Sequence, residues 1–338
     1  MEETQVAEAG DPARASSGAP LARVRPAAGA GRVTVFKFGG SSLANSERIL
    51  HAARLVREAA LVGRTAVVVS AMGGITDRLF SIAQSLESGD RALATAEAHF
   101  VLHLHREVVR ELELGTEEQR RLSGEIEALG RDLLAEVALK EHVAFDAEAL
   151  DRLVSFGERF SCRLLAAALN REGVAAVPVV ASDFVLTTGE FQNARPVLAE
   201  TREQGREVLR PLLEAGLVPV VTGYIGATAE GRITTLGRNS SDYSGAVVAH
   251  VLDAAELVIW TDVDGIYSAN PHAEASARLL SDLTYEEAHA LAASGARVLH
   301  PDVLPLAAET NLVVWVRNSK KPSARGTRIG VDSKGRMS

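Results

Sequence analysis

Val33-Thr34-Val35-Phe36-Lys37-Phe38-Gly39-Gly40-Ser41-Ser42 is the stretch on which the fold turns. Its first four residues are β-branched or aromatic, as a buried strand requires. The glycine pair then stops the run, and two adjacent glycines let backbone N–H groups approach an anion closely. Lys37 sets a positive charge beside them. A helix is expected from Ser46 to Ala60, with Ile49, Leu50, Ala53 and Leu55 at helical spacing and its positive end turned inward. Together these features suit a polyphosphate; taken alone, an ordinary tight turn with a surface lysine suits them equally. No G-x-x-x-x-G-K-[ST] run occurs, so this is not a Walker loop.

Further along, Ala66-Val67-Val68-Val69 is continuously apolar, the pattern of a strand buried on both faces. Strand-like runs recur at 177–180, 217–221, 257–260 and 312–316, with helical segments between them. Alternation of this kind predicts an α/β chain, a three-layer αβα sandwich with a mostly parallel central sheet. In such sheets ligands sit beyond the carboxyl ends of the strands, so chemistry is sought in the loops that follow them. Residues of about 88–141 break the pattern: charged, helical in period and poor in strand formers, they read as a helical insertion beside the sheet. His99, His103 and His105 lie there. His99 and His103 are four apart and would suit one metal, but no carboxylate or cysteine completes a site, and a solvated helical face is the expectation.

Composition sets bounds. The chain has 338 residues, 46% of them apolar, and a formal net charge of −8. That supports a large core and argues against a nucleic-acid-binding surface. No apolar run is long enough for a membrane span. Cys162 is the single cysteine, which excludes an internal disulfide and fits a reducing, cytoplasmic setting. Residues 1–32 are rich in Ala, Gly, Pro, Ser and Arg and read as a disordered N-terminal tail without a secretory signal. The ordered domain is expected over 33–330, followed by a short tail at 331–338.

Three more clusters follow strands or open helices. In Ser70-Ala71-Met72-Gly73-Gly74-Ile75-Thr76-Asp77, Ser70 and Thr76 offer hydroxyls to a carboxylate, or cap the next helix. In Ser155-Phe156-Gly157-Glu158-Arg159, Glu158 offers a partner to an ammonium. In Thr235-Leu236-Gly237-Arg238-Asn239-Ser240-Ser241-Asp242, Arg238 presents a planar fork matched to a carboxylate, or a plain surface ion pair. Asp242 follows four residues later at the start of an expected helix, where an acid is favoured by the dipole.

In this order the clusters resemble the aspartokinase family, within the amino-acid kinases. The matching stretches are K-F-G-G-S-S at 37–42, V-S-A-M-G-G-I-T at 69–76, S-F-G-E at 155–158, T-G-Y-I-G at 222–226, L-G-R-N-S-S-D-Y-S at 236–244, W-T-D-V-D-G-I-Y at 260–267 and V-L-H-P at 298–301. The resemblance implies ATP-dependent phosphorylation of the aspartate side chain, the first step toward the aspartate-family amino acids, with Mg²⁺ arriving on the ATP. It implies that Lys37 stabilises the transferring phosphoryl group and that Asp242 organises Lys37 and the substrate. Ser70 and Thr76 would contact aspartate, Glu158 its ammonium and Arg238 its carboxylate. Gly39, Gly40, Ser41, Thr261, Asp262, Tyr267 and Arg297 would hold the nucleotide. No dedicated protein metal site is expected.

The sequence departs from the family pattern in four places. Arg297 stands where lysine is usual, Asn270-Pro271-His272 where D-P-R is common, and Ser240 where glycine is common. The sequence also stops soon after Gly330, and no ACT-type regulatory domain like the family's is expected in it. These departures keep two alternatives open: a kinase for another acidic acceptor, and a catalytically weak subunit of an active kinase. A homodimer and a regulatory partner in trans also stay open. No nucleic-acid or membrane partner is expected.

Overall fold

The computed structural model describes residues 32–139, 146–269, 274, 276–293 and 299–331. The expectations for the tails, for Asn270 and His272, and for Arg297 fall outside the described residues. Along the chain the elements run β1 (Thr34–Phe38), α1 (Ser46–Ala60), β2 (Thr65–Val69), α2 (Ile75–Glu87), α3 (Arg91–Glu111), α4 (Thr116–Leu139), α5 (Ala147–Val154), α6 (Phe156–Arg171), β3 (Ala176–Val179), α7 (Leu198–Glu214) and β4 (Val218–Thr222). They continue with β5 (Ile225–Ala227), β6 (Ile233–Thr235), α8 (Ser241–Val251), β7 (Glu256–Thr261), β8 (Ile266–Tyr267), β9 (Leu279–Leu280), β10 (Asp282–Leu283), α9 (Tyr285–Ala293), α10 (Val303–Thr310), β11 (Val313–Asn318) and β12 (Thr327–Ile329).

Eight strands form the main sheet in the order β10-β12-β11-β7-β1-β2-β4-β3. The six from β11 to β3 are parallel, while β12 runs antiparallel to β11 and β10 runs with β12. β1 sits in the middle, with Lys37 level with Val68 of β2 and Ile259 of β7. All five residues of β2 are buried, as are all five of β4, which is why both read as unbroken apolar runs. One helical layer holds α1 and α6; α7, α8 and α10 form the other. The carboxyl ends of β1, β2, β4 and β7 therefore open on one edge, at the point where the chain order reverses on either side of β1. The outermost strand β3 is four residues long and contains Pro178. Two short antiparallel pairs, β5 with β6 and β8 with β9, stand outside the main sheet.

Helices α3 and α4 pack on each other and reach the sheet domain through α2 and α6. His99 and His103 lie on a solvated helical face, as expected, but His105 does not: it is wholly buried, its ring stacked 4.2 Å from Phe160 and its Nδ1 bonded to the Val101 carbonyl. Burial pulls its pKa down to about 4, so the ring is a neutral core group. His103 is exposed and lies 3.7 Å from Glu107. Among the described residues no helix is long and apolar enough to cross a membrane.

Candidate active site

Lys37 is buried although charged, because its stem runs along β1 under α8 and only its tip reaches the loop edge. Its Nζ lies 2.6 Å from the Asp242 carboxylate in the first turn of α8. Asp242 is thus both a helix-start acid and the counter-ion of Lys37.

After Phe38 the chain does not enter α1 directly. Gly40–Leu43 forms a 3₁₀ turn, and α1 is capped separately by the Asn45 side chain, which accepts from the Arg48 N–H. The positive end expected from α1 is therefore largely satisfied by the protein itself. Free donors lie one turn earlier: among the described residues the N–H groups of Gly40 and Ser41 meet no protein acceptor. Gly40 has no tolerance for a side chain, since a Cβ there would sit 2.8 Å from the Ala71 carbonyl oxygen. That close approach joins the loop after β1 to the loop after β2.

Between these loops and the start of α8 lies a cleft of about 430 Å³. Ser70, Thr76, Glu158 and Arg238 line it, together with Gly40, Tyr224 and Ser240. Ser70 donates to the Ser241 hydroxyl at 2.8 Å. Thr76 does not cap α2; the N-cap is Gly74 in the left-handed region at φ 81°. Glu158 is buried, and its Oε1 accepts from the Ala71 N–H at 3.0 Å. Gly157 permits this approach, because a Cβ there would press within 2.6 Å of Ala71 Cβ. The second oxygen of Glu158 is buried without a partner, and the residue forms no salt bridge among the described residues. Burial pushes its pKa up to about 8, against the opposing pull of the Ala71 N–H and the Lys37 charge.

Arg238 sits on a strap with two left-handed residues, Gly237 at φ 87° and Asn239 at φ 64°. Its guanidinium is exposed, lies over the Phe80 ring at 4.7 Å and approaches Asp77 at 3.3 Å. The surface ion pair weighed from sequence exists, yet it stands at the mouth of the cleft. Ser240 is fully buried, and its hydroxyl has no partner.

Thr261 ends β7, Asp262 follows it, and Tyr267 lies on β8, next to the loop that leaves β11. The Thr261 carbonyl accepts from both the N–H and the hydroxyl of Ser319. The Asp262 carbonyl accepts from Asn318, and Lys321 pairs with Asp264 at 2.9 Å. Tyr267 lies near Lys321. Ser42 bridges to Ser319 at 2.8 Å, tying this group to the glycine turn. Asn318, Ser319 and Lys321 were missed from sequence, although their place just past a strand was a usable signal. Tyr224, held at φ 69°, was also missed beyond its motif match.

The cleft thus brings the turn of Gly40 and Ser41, with its free N–H groups, together with the buried Glu158 carboxylate and Arg238, and the loop residues after β7 and β11 adjoin it through Ser42. Among the described residues no three of His, Cys, Asp or Glu cluster as metal ligands do.

The sequence pattern of the amino acid kinase family matches residues 32–318, and the chain belongs to that family. It is similar to the lysine-sensitive aspartokinase 3 of Escherichia coli (strain K12), with 35% identity over 88% of this chain and 64% of that protein. Similarity to the chloroplastic aspartokinase 3 of Arabidopsis thaliana is 34%, over 87% of this chain and 52% of that one. The crystal structure of E. coli aspartokinase III in complex with aspartate and ADP superposes with a TM-score of 0.79 at 32% identity, covering 88% of this chain and 64% of that one. The chain thus spans between about half and two thirds of the length of these relatives.

Proposed function

We propose that the chain transfers the γ-phosphoryl group of ATP to the side-chain carboxylate of L-aspartate, yielding 4-phospho-L-aspartate and ADP. The observation that carries this reading is the buried Glu158 carboxylate with its unpartnered oxygen, facing a cleft whose mouth holds Arg238. A negative group at one end and a planar cation at the other match the ammonium and α-carboxylate of an amino acid. The similar aspartokinase, crystallised with aspartate and ADP, supports the same assignment.

The chemistry asks little of a base. An aspartate side chain of ordinary pKa, about 3.9, is already ionised at neutral pH. One of its oxygens attacks the γ-phosphorus, the bond to the β–γ bridging oxygen breaks, and ADP leaves with those electrons. The obstacle is repulsion between two anions, so catalysis rests on positioning and charge neutralisation. Lys37 supplies the cation, and Asp242 fixes where it points. The N–H groups of Gly40 and Ser41 face the phosphates, with Gly39 beside the Lys37 ammonium. Ser70 and Thr76 orient the acceptor. Thr261, Asp262 and Tyr267 take the nucleoside side of the crevice, and Arg297 is assigned there on the resemblance alone. The donor set suits a metal that enters on the nucleotide rather than one caged by the protein; Mg²⁺ would add charge neutralisation at the phosphates.

The test is ADP release by the purified chain with aspartate, glutamate, N-acetylglutamate or no acceptor. Aspartate-dependent release is expected, with N-acetylglutamate inert because it lacks the ammonium that Glu158 requires. Release that ignores aspartate would refute the proposal, and release driven by glutamate would redirect it to another acidic acceptor.

Arg238→Lys should raise KM for aspartate much more than KM for ATP. Lysine keeps the charge but loses the bidentate fork, and about 1–2 kcal/mol of charge-assisted bonding goes with it. Initial-rate kinetics in both substrates check this. An equal rise in both constants would place Arg238 on the nucleotide.

A further inference from the structure

Asp151, on α5, is a fully buried carboxylate outside the lining of the cleft. It forms no salt bridge among the described residues and is held only by neutral donors. Its Oδ2 accepts from the backbone N–H of Gln192 at 2.8 Å and of Thr235 at 2.9 Å, and its Oδ1 from the Thr235 hydroxyl at 2.7 Å. An unpaired buried carboxylate is a costly way to join two elements, so what it joins matters.

Thr235 is the last residue of β6, and Leu236-Gly237-Arg238 follows it. β6 belongs to the small pair with β5 and has no strand partner in the main sheet. The strap bearing Arg238 leaves this small pair with Leu236 N–H bonded to Tyr224 O, and Asp151 adds two bonds to Thr235 at its root and one to Gln192 beside it. The other end of the link is equally defined. Ser155 between α5 and α6 has helical dihedrals, φ −60° and ψ −23°, and bonds run from the Ser155 N–H to Asp151 O and from the Arg159 N–H to Ser155 O. α5 and α6 are thus one continuous helix across the junction. Glu158 lies seven residues after Asp151, two turns along the same face and roughly 10 Å up the axis. Tyr224, on the cleft wall, feels the charge of both carboxylates.

We infer that Asp151 is a positioning residue: it fixes the spacing between the Glu158 pocket and the Arg238 clamp, and so sets the distance between ammonium and carboxylate that the acceptor must match. This rests on the assignment of Glu158 and Arg238 to an amino-acid acceptor. One rigid helix carries the first recognition group and, through Asp151 and Thr235, anchors the second. The acceptor is read as a pair of charges at fixed separation.

The experiment is a coupling measurement on the full chain. An asparagine could keep the link, its oxygen taking the two N–H groups and its NH₂ donating to the Thr235 hydroxyl, so the variant is Asp151→Leu, which removes both acceptor oxygens from a branched side chain and breaks the anchor. It is expected to raise KM for aspartate about tenfold, as about 1.4 kcal/mol of lost positioning would, with KM for ATP within about twofold. In an Arg238→Lys background the same change should raise KM for aspartate by less than about threefold, because the group it positions is already impaired. Equal factors in both backgrounds, or ATP and aspartate constants rising together, would overturn the inference. If Asp151→Leu does not fold, Thr235→Val and Thr235→Ser decide: the valine variant should show the aspartate-specific rise and the serine variant should not, and a rise in both or in neither overturns the inference. Absence of aspartate turnover in the unmodified chain would instead count against the proposed activity itself.

Discussion

Lys37→Ala is expected to lower turnover by about 10²–10³ while leaving the fold in place, since removing one preorganised charge at a transferring group has that magnitude. The physical setting argues for the upper end of the range. Lys37 is buried, its position is fixed by Asp242 at 2.6 Å, and Gly245 of α8 packs so close that a Cβ there would lie 3.3 Å from Lys37 Cβ. The ammonium thus has little reorganisation to undergo when the phosphoryl group arrives. Removing it also leaves Asp242 as an uncompensated negative charge where two further anions must meet. The double variant Lys37→Ala with Asp242→Asn should therefore recover part of the loss. Steady-state turnover with saturating substrates, alongside the thermal melt, makes the measurement. Turnover within threefold of the unmodified chain would remove Lys37 from the chemistry.

Glu158→Gln should move activity and stability in opposite directions. Without the carboxylate charge, the acceptor ammonium loses a buried ionic partner, and kcat/KM for aspartate should fall about thirtyfold, or about 2 kcal/mol. In the free protein the same group is a burden. An unfolded glutamate has a pKa of about 4.3, and burial raises the folded value to about 8. A carboxyl whose folded pKa is raised contributes its full stability below the unfolded pKa and loses it as pH rises through the folded pKa. The unliganded chain should therefore lose stability from about pH 4 to about pH 8, and the glutamine variant should lose less over that window. The kcat/KM profile for aspartate should rise with pH to a break near 8 that the variant lacks. Melts in buffers across the range, with and without aspartate, read both effects. Parallel stability curves for the two proteins would show that Glu158 is not the buried titrating group.

Much of the architecture was legible because parallel strands covered on both faces must be apolar throughout. β2 and β4 stand out for that reason, and the glycine pairs mark where such strands end. The small β5–β6 and β8–β9 pairs were not legible: two or three residues carry too little periodicity to separate a strand from a loop. In the site, Lys37, Glu158, Arg238 and Asp242 could be singled out because each sits next to a punctuating glycine or a helix start. The same neighbourhood held the free donors of Gly40 and Ser41, though the expected helix end proved to be a separate 3₁₀ turn. Asp151 gave no such sign. An acid within an amphipathic helix ordinarily faces water, and only the tertiary approach of Thr235 and Gln192 reveals where it points. His105 misled because it is close in sequence to His99 and His103; two residues along a helix turn it about 200° from His103, and its ring stacks on a phenylalanine 55 positions away.

Pro178 bears on how this protein survives at high concentration. A sheet must end somewhere, and its outermost strand can recruit another chain by backbone pairing alone. Here that strand is β3, only four residues long and interrupted by a residue without an N–H. The border thus presents a broken ladder to any neighbour, partially folded copies included. Pro178→Val would restore a continuous Ala-Val-Val-Val edge, and light scattering during concentration or mild heating should rise well before the melting temperature moves. The margin against aggregation would in that case be set by one missing hydrogen-bond donor, far from the crevice where the phosphoryl group passes.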